Sequence, residues 1–534
     1  MRLVKVAEMQ ELDRMTIQDM GIPGVVLMEN AARGATRIFL DHFSCPGASR
    51  VAIFCGPGNN GGDGYVMARY LQKRGLRIAV VVLTEIGKIS GDARTNLEIL
   101  SRMGLALLEA PNEEEWKKRR GVVSESDFII DAILGTGLNS PVRGFYRQVI
   151  EDINGSGRPV MAVDIPSGLN ADNGQVMGAA VKADLTVTFG FPKTGQLVYP
   201  GAALVGRLAR VDIGIPDVVA ERIPGQAYVT DPRDFRDLFN VEKEDIHKGS
   251  RGHLLVLAGS TGKTGAAALA AMGALRAGAG LVTLGIPKSL NAVMEAKLTE
   301  AMTVPLPETA EGGLALGAED EIKSLMEGKS ALALGPGLST AEETVALVRR
   351  IVRDCPLPMV IDADGLNALG GDMGALEAYR GKRILTPHPG EMGRLTGLTT
   401  PDVQKDRIGT ALGFVHQHGC TLVLKGARTL VAGPEDGLYV NPTGNRALSS
   451  GGTGDVLTGL IGGYLARGWP MIKAALGGAY MHGLAADFLS EEMGTSGILA
   501  GDLLTVLPDL TASLSRGEWP LERPPLHADF YHPL

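Results

Sequence analysis

Residues 51–71 read VAIFCGPGNNGGDGYVMARYL. Five apolar residues run straight into a glycine-rich loop, and residues 64–75 then repeat apolar side chains at helical spacing. A short apolar run bounded by turn residues suits a strand buried on both faces, and a period of 3.6 specifies a helix. Strand, glycine loop and helix form the opening unit of a parallel α/β sheet. Gly56, Gly58 and Gly61 also match the GxGxxG spacing that lets a backbone approach a pyrophosphate. Alone, that spacing is equally a plain strand-to-helix turn. The loop adds Asn59, Asn60 and Asp63, whose oxygens are hard ligands for an alkali or alkaline-earth cation. A simple dinucleotide fingerprint has no use for them.

The alternation continues outward. Residues 3–42 read as helical with a break at Gly21–Pro23, strands are expected at 77–83, 127–134, 159–166 and 184–190, and helices at 91–103 and 145–154. Asp131 with Gly135-Thr136-Gly137, then Asp164, then Ser167 fall at the carboxyl ends of these strands, where open α/β sheets bind ligands. One such Asp is an ordinary cap; recurrence after successive strands points to one shared site. The pattern fades after about 215, and the charge-rich stretch 231–248 places a domain boundary near 220–245. A second alternation starts at HLLVLAG (253–259) and ends in helices at 454–468 and 471–488. The tail RGEWPLERPPLHADFYHPL is expected to pack irregularly.

Composition narrows the function. The 534 residues carry 52 Lys+Arg against 60 Asp+Glu, a net charge of −8, and only 5% aromatics, which argues against a nucleic-acid binder. Glycine, at 72 residues, is close to twice ordinary usage without a collagen period. Cys45, Cys55, Cys355 and Cys420 form no CxxC pair, so neither a disulfide framework nor a structural zinc site is expected, and a reducing cytoplasm is. The weakly polar run 265–275 is too short to span a bilayer and reads as a buried helix.

The second half has its own glycine-rich segment, GGTGD at 451–455. Gly451, Gly452 and Gly454 free N–H groups at a helix start, where the dipole favours an anion such as a phosphoryl group in flight. Asp455 beside them has the position of a base for an attacking hydroxyl, or of a simple helix cap. Gly262-Lys263-Thr264 is not a Walker A motif, because Leu257 stands where its first glycine belongs. His388, between prolines, reads alone as a loop histidine and within TPHPGE as a substrate contact.

These motifs carry two resemblances. NNGGDG (59–64), DAILGTGL (131–138) and DIPSGL (164–169) resemble the NAD(P)HX epimerase domain over about 1–215. That resemblance implies potassium ligands at Asn60, Asp131 and Ser167. It implies cofactor contacts at Asn59, Asn60, Gly61, Gly62, Asp63, the loop Gly135, Thr136, Gly137, Leu138, Asn139, Ser140, Pro141, and Asp164. KGSRG, LGPGL, IDADGLNAL, TPHPGEM, LKG and SSGGTGDVLTG resemble the ADP/ATP-dependent NAD(P)HX dehydratases of the ribokinase-like superfamily over about 228–510. Here the hydrate would contact Ala266, Gly337, His388 and Asp455, and the nucleotide Lys425, Gly426, Ala427, Arg428, Thr429 and Gly454. The expected architecture is α/β, with two three-layer α/β/α domains: Rossmann-like at 1–220, ribokinase-like at 228–510, and a tail at 511–534.

Both resemblances meet on one damaged metabolite, a reduced nicotinamide hydrated at C6. The expectation is a bifunctional enzyme that epimerises the R and S hydrates, with Asp164 assisting proton transfer, and dehydrates the S form with Asp455 as base. K⁺ would serve the first domain and Mg²⁺ with ADP the second. The partners would be NADHX, NADPHX and ADP, with no nucleic acid or membrane, in a cytoplasmic tetramer or octamer. Three alternatives stand beside it: a ribokinase-like small-molecule kinase, a non-catalytic N-terminal binding module, and an NAD-dependent dehydrogenase.

Overall fold

The computed structural model describes residues 1–240 and 248–521. The chain divides after Ala227 into two compact units.

In the first unit seven strands are all parallel: β1 (Arg50–Cys55), β2 (Arg77–Val82), β3 (Leu107–Glu109), β4 (Phe128–Ala132), β5 (Val160–Val163), β6 (Leu185–Phe189) and β7 (Arg207–Val211). Their order is β3-β2-β1-β4-β5-β6-β7, so the winding reverses between β1 and β4. That reversal opens a crevice at the carboxyl ends, the place where such sheets bind ligands. Every residue of 51–55 is 0% exposed. Val51, Ile53 and Cys55 join the core under helices Gly24–Phe43 and Asn59–Lys73, while Ala52 and Phe54 join Trp116, Val149 and Ile150 on the opposite face. Alternate side chains of one apolar run therefore serve two cores, as a doubly covered parallel sheet requires.

The helix expected from 64 begins five residues earlier, at Asn59. Its poor helix formers NNGGDG are held by packing. A Cβ on Gly61 would stand 2.2 Å from the Gly56 carbonyl, and one on Gly64 2.7 Å from Cys55 Sγ, so tertiary contact overrides propensity. The N-terminal segment docks on the same sheet edge. Val4 bridges Lys193 in parallel, with Val4 N donating to Pro192 O at 3.0 Å and Thr194 N to Val4 O at 3.1 Å. Helix Val6–Arg14 leaves directly from this bridge, its first turn held by Lys5 N donating to Glu8 Oε2 at 2.7 Å.

In the second unit the central strands are parallel: β8 (His253–Leu257), β9 (Leu281–Pro287), β10 (Met302–Leu306), β11 (Ala331–Leu334), β12 (Met359–Ile361), β13 (Arg383–Leu385) and β14 (Thr421–Leu424). β15 (Leu430–Gly433) and β16 (Gly437–Val440) add an antiparallel edge that the sequence pattern did not separate from its loops. The order runs β16-β15-β14-β13-β12-β11-β8-β9-β10. The alanine-rich run is a buried helix, Thr264–Arg276, with Ala267, Ala270, Ala271 and Ala274 at 0% exposure. It packs closely on helix Thr453–Ala466, where a Cβ on Gly459 would lie 2.2 Å from the Ala270 carbonyl. Among the described residues no helix is long and apolar enough to cross a membrane. Helix Ala500–Ser515 runs on past 510, and residues 241–247 of the charged linker and 522–534 of the tail lie outside the described residues.

This helix pair makes a direct test. Gly459→Val is expected to lower the stability of the second unit by about 1–3 kcal/mol through overpacking. Gly413→Ala, exposed in helix Arg407–His418 with nothing within 4 Å of its Cβ, is expected to raise it by about 0.5–1 kcal/mol. Urea unfolding followed by circular dichroism measures both; shifts of the same sign would reject the steric account.

Candidate functional site

A cavity of about 570 Å³ opens at the β1/β4 crevice. Its floor is the loop Pro57–Asn60 and the start of helix Asn59–Lys73, one wall is the loop 133–139, and another is helix Val6–Arg14. Asn59, Asn60, Asp63, Gly135, Thr136, Gly137, Leu138, Asn139 and Asp164 all line it. Of the glycines at 56, 58 and 61 only Gly58 does, because Gly56 and Gly61 are used to close the strand tops on the helix. Gly61 and Gly62 lie buried behind the lining, Gly62 against Met28 and Ala93, and Ser140 and Pro141 are exposed beyond it.

Asp164 follows β5 with its backbone in the left-handed region, φ +62°, an uncommon conformation for a non-glycine residue and one that clusters at functional sites. Its carboxylate pairs with the Lys193 ammonium and accepts from Thr188 Oγ1 at 3.1 Å and Phe189 N at 3.2 Å. Gln196 Nε2 donates to its carbonyl at 2.7 Å. Lys193 is 1% exposed and also donates to Thr188 Oγ1 and the Phe189 carbonyl. Three further carboxyls, Asp13, Asp63 and Asp92, line the same cavity. Burial pushes Asp63 well above the usual carboxylate range, and the Asp164 charge adds to this. Burial likewise pushes Asp13 up to about 6, with Lys193 opposing and Asp164 reinforcing.

Below the cavity Asp131 is fully buried. Its oxygens accept from Ser167 N at 2.8 Å, Ser167 Oγ at 2.5 Å and Ile133 N at 3.2 Å, and burial lifts its carboxyl to about 6. Asn60 packs against Gly135, and its buried side-chain nitrogen has no partner. A half-turn of the Asn60 amide places its oxygen there instead. Two oxygen types beside an unneutralised buried carboxyl fit a hard monovalent cation. Among the described residues no three His, Cys, Asp or Glu side chains converge as a metal site.

In the second unit the loops after β11, β12, β13 and β14 meet the N-terminus of helix Thr453–Ala466. Asp362, 1% exposed, accepts from Lys425 Nζ at 2.7 Å and Thr458 Oγ1 at 2.8 Å. Lys425 also stands 3.7 Å from Glu391, and a Cβ on Gly454 would lie 3.6 Å from Lys425 Nζ. Burial would lower Lys425, but Asp362 and Glu391 overcome it and hold the ammonium raised. Asp455 is pushed up to about 6, by burial first and then by Asp362, with Lys425 opposing. Ala266 and Gly337 touch, the Gly337 Cβ position being 3.2 Å from Ala266 Cβ. His388 caps helix Pro389–Thr396: its Nδ1 accepts from Gly390 N at 3.0 Å and Glu391 N at 3.2 Å. Burial lowers its pKa, so the neutral ring carries its proton on Nε2.

The turn 425–429 joins β14 to β15. Arg407 supports it from below, Nη1 donating to Ala427 O at 2.7 Å and Nη2 to Leu424 O at 3.2 Å. Arg428 sits at φ +56° and Ala363, between Asp362 and Asp364, at φ +51°.

Sequence reasoning missed Asp13 and Lys193 in the first unit, and Asp362, Glu391, Thr458 and Arg407 in the second. Asp362 carried the signal that revealed Asp164, an Asp directly after an apolar strand. Asp13 and Lys193 carried none, since one lies in an amphipathic helix and the other in an irregular loop.

The comparisons with known proteins agree with this division. The family described as YjeF-related protein N-terminus matches residues 24–195, and that described as NAD(P)H-hydrate dehydratase matches residues 254–509. A crystal structure of the ADP/ATP-dependent NAD(P)H-hydrate dehydratase from Bacillus subtilis, co-crystallised with ATP and Mg²⁺, covers 54% of this chain and 98% of that one at 32% identity and a TM-score of 0.46. The bifunctional NAD(P)H-hydrate repair enzyme of Thermofilum pendens is 38% identical over 514 residues, 96% of this chain and 97% of that protein. That of Moorella thermoacetica is 43% identical over 516 residues, again 96% and 97%. Matched nearly end to end at this identity, the chain belongs to the family of bifunctional NAD(P)H-hydrate repair enzymes.

Proposed function

We propose that residues 1–220 interconvert the R and S hydrates of NADH and NADPH, and that residues 228–510 dehydrate the S form at the expense of ADP, giving AMP and phosphate. The observation that carries this reading is the pair of sites, one offering proton-transfer groups around a cavity, the other a glycine-rich helix N-terminus with a half-buried carboxyl beside it.

Hydroxide is a poor leaving group. In the second unit Asp455 takes the C6 hydroxyl proton as that oxygen attacks the terminal phosphorus of ADP and the bond to AMP breaks. The N–H groups opening helix Thr453–Ala466 stabilise the charge on the moving phosphoryl. The ring nitrogen lone pair then expels phosphate, and loss of a C5 proton restores the dihydropyridine. Ala266, Gly337 and His388 hold the hydrate, and Lys425, Gly426, Ala427, Arg428 and Thr429 with Gly454 hold the nucleotide. Mg²⁺ would travel with the nucleotide, bound mainly by phosphate and water, because Asp362 and Glu391 already engage Lys425.

In the first unit Asn59, Asn60, Asp63, the loop 135–139 and Asp164 hold the substrate, and Asp164 moves a proton. Asn60, Asp131 and Ser167 would hold K⁺, which supplies a fixed positive charge beneath the loop. By the family resemblance the chain assembles as a cytoplasmic homo-oligomer, a tetramer or octamer, which sedimentation velocity reads directly.

An R/S mixture of NADHX with Mg²⁺, K⁺ and ADP is expected to recover NADH absorbance near 340 nm from both epimers, with ATP a poorer donor. Recovery of the S fraction alone would reject the epimerase half, and a stable phosphorylated product would reject the dehydratase half. Replacing K⁺ by tetramethylammonium is expected to slow only the R fraction. Asp455→Asn is expected to cut dehydration by about 10²–10⁴-fold. A base must be unprotonated, so the native rate is expected to rise with pH through about 6 and level off above it; a rate that falls over that range would reject the role.

A further inference from the structure

We propose that Asp13 is the second proton-transfer group of the epimerase site, the acid that complements Asp164 as base. The inference rests on reading this cavity as the epimerase site.

The geometry sets the two carboxyls on different walls of one cavity. Asp164 comes from the loop after β5 and Asp13 from the last turns of helix Val6–Arg14, and both line the same space. Asp164 is held by one oxygen, on which Lys193, Thr188 Oγ1 and Phe189 N all converge. Asp13 is the opposite case. Among the described residues its carboxyl has no hydrogen-bond or ion-pair partner. The helix carrying it is pinned where a wandering N-terminal segment would not be, through the Val4–Lys193 bridge and through Val6 N donating to Asp172 Oδ1 at 2.7 Å. That bridge ties Asp13 to the segment that supplies the partner of Asp164.

Five titratable groups line the cavity: Asp13, Asp63, Asp92, Asp164 and Lys193. One ammonium stands among four carboxyls, and Asp164 takes it. Burial in a shared low-dielectric space favours the protonated form of a carboxyl, and it raises Asp13 to about 6. The lasting difference in partners between Asp13 and Asp164 suits one route to epimerisation. Asp164 takes the proton of the C6 hydroxyl, the C6–N1 bond breaks, C6 becomes an aldehyde carbon, and N1 takes the proton from Asp13. Rotation about C5–C6 presents the other face of the aldehyde. In the reverse step N1 attacks that face and returns its proton to Asp13, while Asp164 returns its proton to the oxygen. Both carboxyls end as they began, so successive turnovers need no proton shuttle and no external water. Reversible loss of hydroxide would instead exchange the two roles at each turnover, against their unequal surroundings.

The test uses the full chain, whose second activity reports folding. Epimer exchange of R-NADHX is followed by chromatography without nucleotide, and dehydration of purified S-NADHX with ADP is measured on the same preparation. Asp13→Asn is expected to slow epimer exchange by about 10²–10⁴-fold and leave dehydration within twofold. An acid must hold its proton, so native epimerisation is expected to fall as pH rises through about 6. The residual rate of Asp13→Asn should lack that limb, and Asp13→Glu should restore part of the rate with the limb displaced. Exchange within threefold of native in Asp13→Asn, or a slowed rate with an unchanged pH limb, would overturn the proposal and leave Asp13 a wall residue. If Asp13→Asn loses dehydration too, Asp13→Glu decides: a displaced limb supports the role and an unmoved one overturns it. Absence of epimer exchange in the native chain would instead sink the reading of the site itself, and this proposal with it.

Discussion

Covering a parallel sheet on both faces leaves a buried strand only its ends to show a charge, and the ligand crevice forms at the carboxyl ends. Both units obey this constraint, and their chemistry follows from it. Asp131 closes β4, Asp164 follows β5 and Asp362 follows β12. Each carboxyl is compensated differently. Asp131 receives only a hydroxyl and backbone N–H groups, so it keeps an unneutralised charge suited to a small cation. Asp164 receives an ammonium, which pairs its charge in a cavity that it shares with carboxyls lacking one. Asp362 receives an ammonium and a hydroxyl together, and is a fixed anchor whose field raises its neighbour Asp455. Three aspartates in the same topological position thus acquire three roles from the residues brought to meet them.

The strand ends were legible because they depend on local pattern. An apolar run that stops at an Asp or a glycine loop states its own geometry, and on that ground Asp131, Asp164 and GGTGD stood out. The compensating residues were not legible, because their position is tertiary. Lys193 reaches Asp164 across 29 positions of chain and Lys425 reaches Asp362 across 63. Asp13 is further still, brought in by an isolated β-bridge between Val4 and Lys193 that no periodicity signals. The glycine loop was read correctly in outline and wrongly in emphasis. Spacing alone suggests that all three glycines face a ligand, whereas Gly56 and Gly61 are needed where backbone meets backbone and only Gly58 meets the cavity. The helix start at Asn59 was missed for the same reason: propensity argues against NNGGDG as a first turn, and close packing on β1 overrides it.

Backbone strain adds an independent line. Asp164, Ala363 and Arg428 are three of the non-glycine residues with positive φ, and all lie at the two candidate sites. At Asp164 the left-handed turn aims the carboxylate back toward Lys193; at Ala363 it separates Asp362, which faces Lys425, from Asp364, which Lys263 meets at 2.9 Å. Such conformations cost of order 1–3 kcal/mol each and persist where surrounding contacts over-determine them. At Asp164 and on either side of Ala363 those contacts include ion pairs, and Arg428 donates to the Pro442 carbonyl.

The contrast between the two sites follows from the bonds they must break. Epimerisation at a carbon bearing both oxygen and nitrogen needs one bond at that carbon opened and remade with protons moved between heavy atoms, and a cavity of unlike carboxyls with one ammonium provides donor and acceptor. Removing the oxygen altogether needs a better leaving group, and no arrangement of carboxyls supplies one. Phosphoryl transfer does, and it demands a positive field at a place no lysine need occupy, because Lys425 is already committed to Asp362. The N-terminus of helix Thr453–Ala466 supplies that field from backbone alone. The glycines at 451, 452 and 454 follow from this. A side chain at Gly452, at φ +91° and with its Cβ position 2.6 Å from Leu269, would both strain the turn and push it from helix Thr264–Arg276. The glycine excess that first set this chain apart from ordinary composition therefore has two physical origins, close packing of backbone on backbone and anion binding by backbone N–H groups, and the two sites use both.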